Sequence, residues 1–188
     1  MNKKVVIVGF GPIVQLIAQY LTQKEDTELV GVIDINPKLK GKTVGDIINN
    51  DTPINIVQQF SDLSQKPSVA IVCTTSSVEK IKPLVSELAS EGCHILSTCE
   101  ELAFPWKTNE TVAKELDLIA KKNNISILGT GVNPGFLMDF FPTVCSSICH
   151  KIDSIEVNRI QDAKHRRIQF QQKIGAGLTV EEFTQKVE

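Results

Sequence analysis

Glu100 and Glu101 are adjacent carboxylates, preceded by Ser97-Thr98-Cys99 and followed by Leu102. A carboxylate in a cleft holds an ammonium group or moves its proton. Neighbours on an extended chain project to opposite sides, so one of the two is expected to face a cleft and the other solvent. Their spacing leaves open which is which. A different chemistry is written in Gly9-Phe10-Gly11-Pro12-Ile13. Glycines there let the backbone turn tightly against a pyrophosphate, and Pro12 is placed to open a helix whose first amides face that anion. The third glycine of the dinucleotide fingerprint is replaced by Val14, which implies a slightly displaced helix rather than lost phosphate binding. Asp34 follows Val14 by 20 residues, where a carboxylate hydrogen-bonds the adenosine ribose of NAD and repels a 2′-phosphate. Lys38, Lys40 and Lys42 could offset that repulsion and admit NADP, although a solvated loop is the plainer reading of these lysines. The plainer reading of Asp34 is an Asx-type turn with Asn36-Pro37. The expected cofactor is NAD or NADP.

Two more clusters share the character of the first. Cys73-Thr74-Thr75-Ser76-Ser77 carries hydroxyls that either line a nicotinamide ribose or cap a helix. Gly129-Thr130-Gly131-Val132-Asn133-Pro134-Gly135-Phe136 has three glycines and a proline in seven residues, an unusual backbone that lies close to a ligand or to another chain segment. His94 and His150 read as ordinary boundary histidines, and no metal site is expected.

The elements that must position these clusters alternate along the chain. Lys4–Val8, Leu29–Ile33, Val69–Cys73, His94–Thr98 and Ile125–Leu128 are short apolar runs, with Ile54–Val57 a weaker one. Such runs suit strands buried on both faces of a parallel sheet. Ile13, Leu16, Ile17, Tyr20 and Leu21 form a helical stripe after the glycine turn. Val78, Ile81, Val85, Leu88 and Ala89 form another, closed by Gly92, and Thr108–Lys122 a third. Asn133 is expected to cap a helix opened by Pro134. Strand and helix in alternation predict an α/β fold, a Rossmann-type doubly wound parallel sheet over residues 1–150. All the clusters above then fall at the carboxyl edge of the sheet, where ligands of such folds bind.

The pattern changes near Lys151. Ile152–Ile160 reads as a half-solvated antiparallel strand, and Thr179 with Glu182 as a capping box. Residues 151–188 are therefore expected to begin an α+β second domain. A lone strand there would pair with a second copy, lie against the first domain or fray, and a homodimer is the expected assembly.

Composition bounds the function. The chain has 188 residues with 41% hydrophobic and 22% charged, which reads as globular. Its net charge of −2 excludes a strongly basic nucleic-acid binder. No apolar run reaches the length of a bilayer span, and Gly9-Phe10-Gly11-Pro12 interrupts what would be a signal peptide's apolar stretch. Five cysteines without a CxxC pair read as reduced thiols in a cytoplasmic protein.

Taken together, Gly9-Phe-Gly11, Thr74–Ser77, Ser97-Thr-Cys-Glu-Glu-Leu102 with Pro105-Trp106, Gly129–Phe136, and Arg159-x-x-Asp162-Ala163-x-x-Arg166-Arg167 with Lys173–Gly177 resemble the family of 2,4-diaminopentanoate dehydrogenase and its amine dehydrogenase relatives, in the dihydrodipicolinate reductase superfamily. The resemblance implies NAD(P)-dependent oxidative deamination of a small-molecule amine. Hydride leaves the amine-bearing carbon for the nicotinamide, and the imine is hydrolysed to a ketone and ammonia. The implied substrate is 2,4-diaminopentanoate, oxidised to 2-amino-4-oxopentanoate, with Glu100 or Glu101 binding and deprotonating the reacting ammonium. It implies cofactor contacts from Gly9, Phe10, Gly11, Pro12, Ile13, Asp34, Thr74, Thr75, Ser76, Asn133 and Pro134. Thr130, Gly131, Val132 and Arg159 are the implied substrate contacts. The paired-histidine and lysine signature of true dihydrodipicolinate reductases is absent from Asn158–Arg167, which ranks that reductase activity below amine oxidation. The family's chains are longer, so a third alternative is a catalytically weak NAD(P)-binding fragment.

Overall fold

A computed structural model of the chain describes residues 2–160, 162–166 and 168–186. The chain divides into two compact units, Met1–Ile148 and Cys149–Glu188.

The first unit is built on six parallel strands: β1 (Lys3–Val8), β2 (Thr27–Ile33), β3 (Ile56–Val57), β4 (Val69–Val72), β5 (His94–Ser97) and β6 (Ile127–Gly129). Their spatial order is β3-β2-β1-β4-β5-β6, so the chain winds outward from β1 in one direction, returns, and winds outward in the other. β1 pairs with both β2 and β4, with Val5 against Leu29 on one side and Val69 on the other. The crevice between the carboxyl ends of β1 and β4 is the point at which the winding reverses, where open α/β sheets take their ligands.

Alternation along β1 sorts its side chains between two hydrophobic layers. Ile7 packs with Phe10, Val14, Ala18 and Val44, the buried face of α1 (Pro12–Leu21) and α2 (Val44–Ile48). Val6 and Val8 pack with Val78, Ile81, Val85 and Leu88 of α3 (Val78–Ser90), and with Val112 and Leu116 of α5 (Glu110–Asn123). A short helix, α4 (Pro105–Thr108), precedes α5. Val14, where the fingerprint's third glycine would be, is buried in the first layer. An ion pair between Lys82 and Glu115 joins α3 to α5.

Two expectations are corrected here. Asn133 does not cap a helix opened by Pro134. The Asn133–Pro134 peptide is cis. Asn133, Pro134 and Gly135 are all non-helical, with Gly135 at φ +117°, within a wide-turned segment Val132–Phe140. Regular helix resumes in α6 (Phe141–Ser146). In the second unit, residues 152–160 form no strand. Their β-branched alternation favours an extended chain, but a strand needs a hydrogen-bonded neighbour, and none pairs with this segment among the described residues. The second unit instead has α7 (Ile168–Lys173) and α8 (Val180–Lys186). The expected capping box opens α8: Thr179 N–H donates to Glu182 Oε2 at 3.0 Å, and Glu182 N–H to Thr179 Oγ1 at 3.3 Å. Arg167, Val187 and Glu188 lie outside the described residues. No helix among the described residues is long and apolar enough to cross a membrane.

Candidate dinucleotide and amine site

The turns leaving β1, β2, β4, β5 and β6 are fastened to one another at the carboxyl edge. Gly9 has φ +89°, and its N–H donates to Ile33 O at 2.8 Å. A Cβ there would stand 2.8 Å from Cys73 O and 3.2 Å from Thr74 Cγ2. Glycine is thus required twice, by conformation and by close approach to the β4 exit. Phe10 anchors the turn by burying its ring, while Gly11 faces open space: nothing lies within 4 Å of the position its Cβ would take. Gly11 is the N-cap of α1 without a side-chain cap, Pro12 follows, and Ile13 is exposed. The first amides of such a helix lack intrahelical partners and favour an anion. A backbone corner that a Cβ would obstruct, ahead of an uncapped helix N-terminus, fits a dinucleotide pyrophosphate. Gly9, Gly11 and Ile13 are the residues that would hold it.

Asp34 leaves β2 half-buried. Its Oδ2 accepts from Phe10 N–H at 2.6 Å and its Oδ1 from Asn36 N–H at 2.8 Å. The Asx turn with Asn36 is therefore formed, and the carboxylate also reaches back to the glycine turn. Lys38, Lys40 and Lys42 are exposed on the following loop.

The β4 and β5 exits interlock through Ser97, Cys99 and Glu101. Ser97 Oγ donates to Val72 O at 3.1 Å and accepts from Cys99 N–H at 3.1 Å. Cys99 Sγ donates to Ser76 O at 3.0 Å, and Glu101 N–H donates to the same carbonyl at 3.2 Å. The Glu101 carboxylate accepts from Val78 N–H at 2.8 Å. It thereby caps α3, the role expected of the hydroxyls; Ser77, the N-cap residue, makes no side-chain cap. Thr75 Oγ1 accepts from Ser77 N–H at 3.3 Å, and Thr74 is exposed. Glu100 is exposed at the start of a 3₁₀ turn, Glu100–Leu102. Within the pair, the Glu101 carboxylate is thus the one bonded to the first turn of α3.

Beyond β6, Thr130 N–H donates to Ser97 O at 2.8 Å. Gly129 lies against the Leu102 carbonyl with no room for a Cβ. Gly135 N–H donates to Asp139 Oδ2 at 2.7 Å, and Phe136 N–H to Gly131 O at 3.0 Å. The Phe136 ring lies 6.1 Å from that of Phe140. Thr130, Gly131, Val132, Asn133 and Pro134 therefore follow the same edge as Glu100. Arg159 belongs to the second unit.

Sequence reasoning missed the structural role of Ser97, the one buried polar residue among the described residues. A serine closing the apolar run His94-Ile95-Leu96 was the available signal. It also missed Cys99 as a buried clasp and Glu101 as a cap. Burial raises the thiols of Cys73 and Cys99, which keeps them protonated at neutral pH.

A family model described as "Oxidoreductase family, NAD-binding Rossmann fold" matches residues 3–128. Among curated proteins, 2,4-diaminopentanoate dehydrogenase of Acetoanaerobium sticklandii is 31% identical over 190 residues, covering 98% of this chain and 54% of that one. The chain thus spans about half the length of that relative. Among solved structures, an amine dehydrogenase from Mycobacterium smegmatis has a TM-score of 0.70 at 22% identity, over 81% of this chain and 46% of that one. An oxidoreductase from Agrobacterium radiobacter, solved with NAD+, L-tartaric acid and magnesium, has a TM-score of 0.50 at 17% identity, over 66% and 34%. Both share the fold. With a glycine turn at the winding reversal, a carboxylate at the β2 exit and a family match across the whole sheet up to Leu128, the chain belongs to the oxidoreductase family with an NAD-binding Rossmann fold, and its cofactor is NAD or NADP.

Proposed function

We propose that the chain serves an NAD(P)-dependent amine dehydrogenase that deaminates a small diamino acid, 2,4-diaminopentanoate being the best supported substrate. The observation that carries this reading is the 31% identity with the A. sticklandii dehydrogenase over 98% of this chain. When bound, the dinucleotide supplies the hydride acceptor. Gly9, Gly11 and Ile13 would hold its pyrophosphate, with Phe10 and Pro12 shaping the turn around it; Asp34 would border its adenosine end, and Thr74, Thr75, Ser76, Asn133 and Pro134 its nicotinamide end. One carboxylate of the Glu100-Glu101 pair binds the substrate ammonium. It takes the ammonium proton, because a protonated amine has no lone pair to drive hydride loss from its carbon. The oxidised carbon is left as an imine, and water converts it to a ketone and ammonia. Thr130, Gly131 and Val132 line the substrate side. A homodimer through residues 152–160 would give this β-branched segment a neighbouring strand, and sedimentation velocity tests that.

The test of the activity is amine-dependent NAD(P) reduction by the complete homologous enzyme, with each glutamate equivalent changed to Gln. One of the two Gln equivalents should lose at least roughly a hundredfold in kcat, the scale of general acid–base catalysis, and the other far less. Equal and mild effects at both positions would remove the carboxylate pair from the reaction.

A further inference from the structure

The end of β2 holds the glycine turn through two groups, one from the backbone and one from a side chain. Ile33 O takes the Gly9 amide at 2.8 Å, and Asp34 Oδ2 takes the Phe10 amide at 2.6 Å. Asp34 N–H is itself fixed, donating to Val57 O at 2.9 Å on the neighbouring strand. Its other oxygen, Oδ1, holds the Asn36 amide at 2.8 Å, which keeps the carboxylate from rotating away. The buried Phe10 ring completes the hold from below, packed in the same layer as Ile7 and Val14. Gly11, the next residue, is the corner that faces open space. The position of that corner is therefore set by a carboxylate that holds Phe10 from 24 residues away in sequence.

We propose that Asp34 is a positioning residue for the glycine turn, so that it governs the binding of NAD and NADP together instead of choosing between them. This rests on the dinucleotide reading above. A carboxylate that only reads the ribose 2′-hydroxyl would make its loss specific to NAD and would relieve repulsion of a 2′-phosphate. Here each Asp34 oxygen already accepts an amide, and amide donors offset the negative charge that a 2′-phosphate would meet. Asparagine at this position has one acceptor oxygen, and its NH₂ would face a second N–H donor, so one of the two bonds is lost.

The experiment titrates NAD and NADP separately into the 188-residue chain and its Asp34→Asn variant by calorimetry, and follows amide hydrogen exchange by NMR without ligand. Both dissociation constants should rise by roughly tenfold, with their ratio moving less than about threefold, as befits one charge-assisted hydrogen bond. In the unliganded wild type, the Phe10 amide should exchange at least about tenfold more slowly than that of Gly11, and the variant should erase the difference while leaving Gly9 protected. A variant that loses NAD but keeps or gains NADP overturns the proposal in favour of ribose reading. Rapid exchange of Phe10 in the wild type overturns it even if the variant fails to fold. A wild type that binds neither dinucleotide while Phe10 stays protected overturns the cofactor role itself, with the hydrogen bond intact.

Discussion

The Glu101 carboxylate lies 2.8 Å from the Val78 amide, so the loop leaving β5 caps the first turn of α3. An acid at this place satisfies one orphan amide and meets the positive end of the helix. Glu101→Ala should therefore destabilise the chain by about 0.5–2 kcal/mol, a melting shift of a few degrees for a chain of this size. Glu101→Gln should recover most of that, because the amide oxygen still accepts. Thermal unfolding of the three proteins checks it, and equal stability of Glu101→Ala and wild type would show that the cap contributes nothing.

The two glycines of the first turn should respond oppositely to alanine. Gly9→Ala introduces a Cβ at a positive φ and 2.8 Å from the Cys73 carbonyl, so a loss of about 2–4 kcal/mol is expected in urea unfolding. Gly11→Ala should fold normally, since its φ of −71° is ordinary and its Cβ would meet nothing. It should weaken dinucleotide binding by roughly tenfold or more, because the methyl occupies the approach to the backbone. Unchanged affinity in Gly11→Ala would place the pyrophosphate elsewhere.

Gly129→Ala is expected to be among the most disruptive single changes in the first unit. The added Cβ would collide with the Leu102 carbonyl, which belongs to a backbone turn and has no rotamer to yield with. A loss of about 3 kcal/mol or more follows from overpacking against main chain. Soluble expression and urea unfolding report it, and a stable Gly129→Ala protein would mean that the β5 and β6 exits move apart freely.

Alkaline stability should be limited by the buried thiols. Burial pushes Cys93 up to about 11, and its Sγ lies 3.5 Å from Pro67 O. In the unfolded chain the thiol returns to its ordinary value of 9.0 and releases its proton first. Between those values the unfolded state binds fewer protons, so stability is complete below pH 9 and falls as pH rises toward 11. The expected loss is of order 2 kcal/mol across that window, with Cys99 adding in the same direction. Urea unfolding at pH 8 and at about pH 10.5 measures it, and Cys93→Ala should show a shallower decline. An equal decline in that variant would assign the effect to other groups.

Much of the fold was legible because strand and helix periods are local. The apolar runs at Lys4–Val8 and Leu29–Ile33 and the stripe from Val78 to Ala89 needed no knowledge of their neighbours. What was not legible depended on partners distant in sequence. Glu101 caps a helix that begins 23 residues earlier, and no local cap rule reaches that far. Asp34 was read as an acid awaiting a ribose or making an Asx turn; its bond to Phe10 needed the two strand ends side by side. The segment 152–160 carried strand composition, but composition cannot supply the neighbouring strand that would make it one.

The double pairing of β1 bears on how the chain is made. Its first strand is one of the two central ones, yet its second neighbour, β4, begins at Val69, about 60 residues after β1 ends. At roughly 5–20 residues per second, a nascent chain carries one open, apolar edge of β1 for about 3–12 s before β4 leaves the ribosome. Val6 and Val8, which become the wall of the α3 layer, remain uncovered for that interval. During synthesis a strand that is enclosed on both edges in the finished sheet is therefore exposed for seconds to chaperones and to other nascent chains.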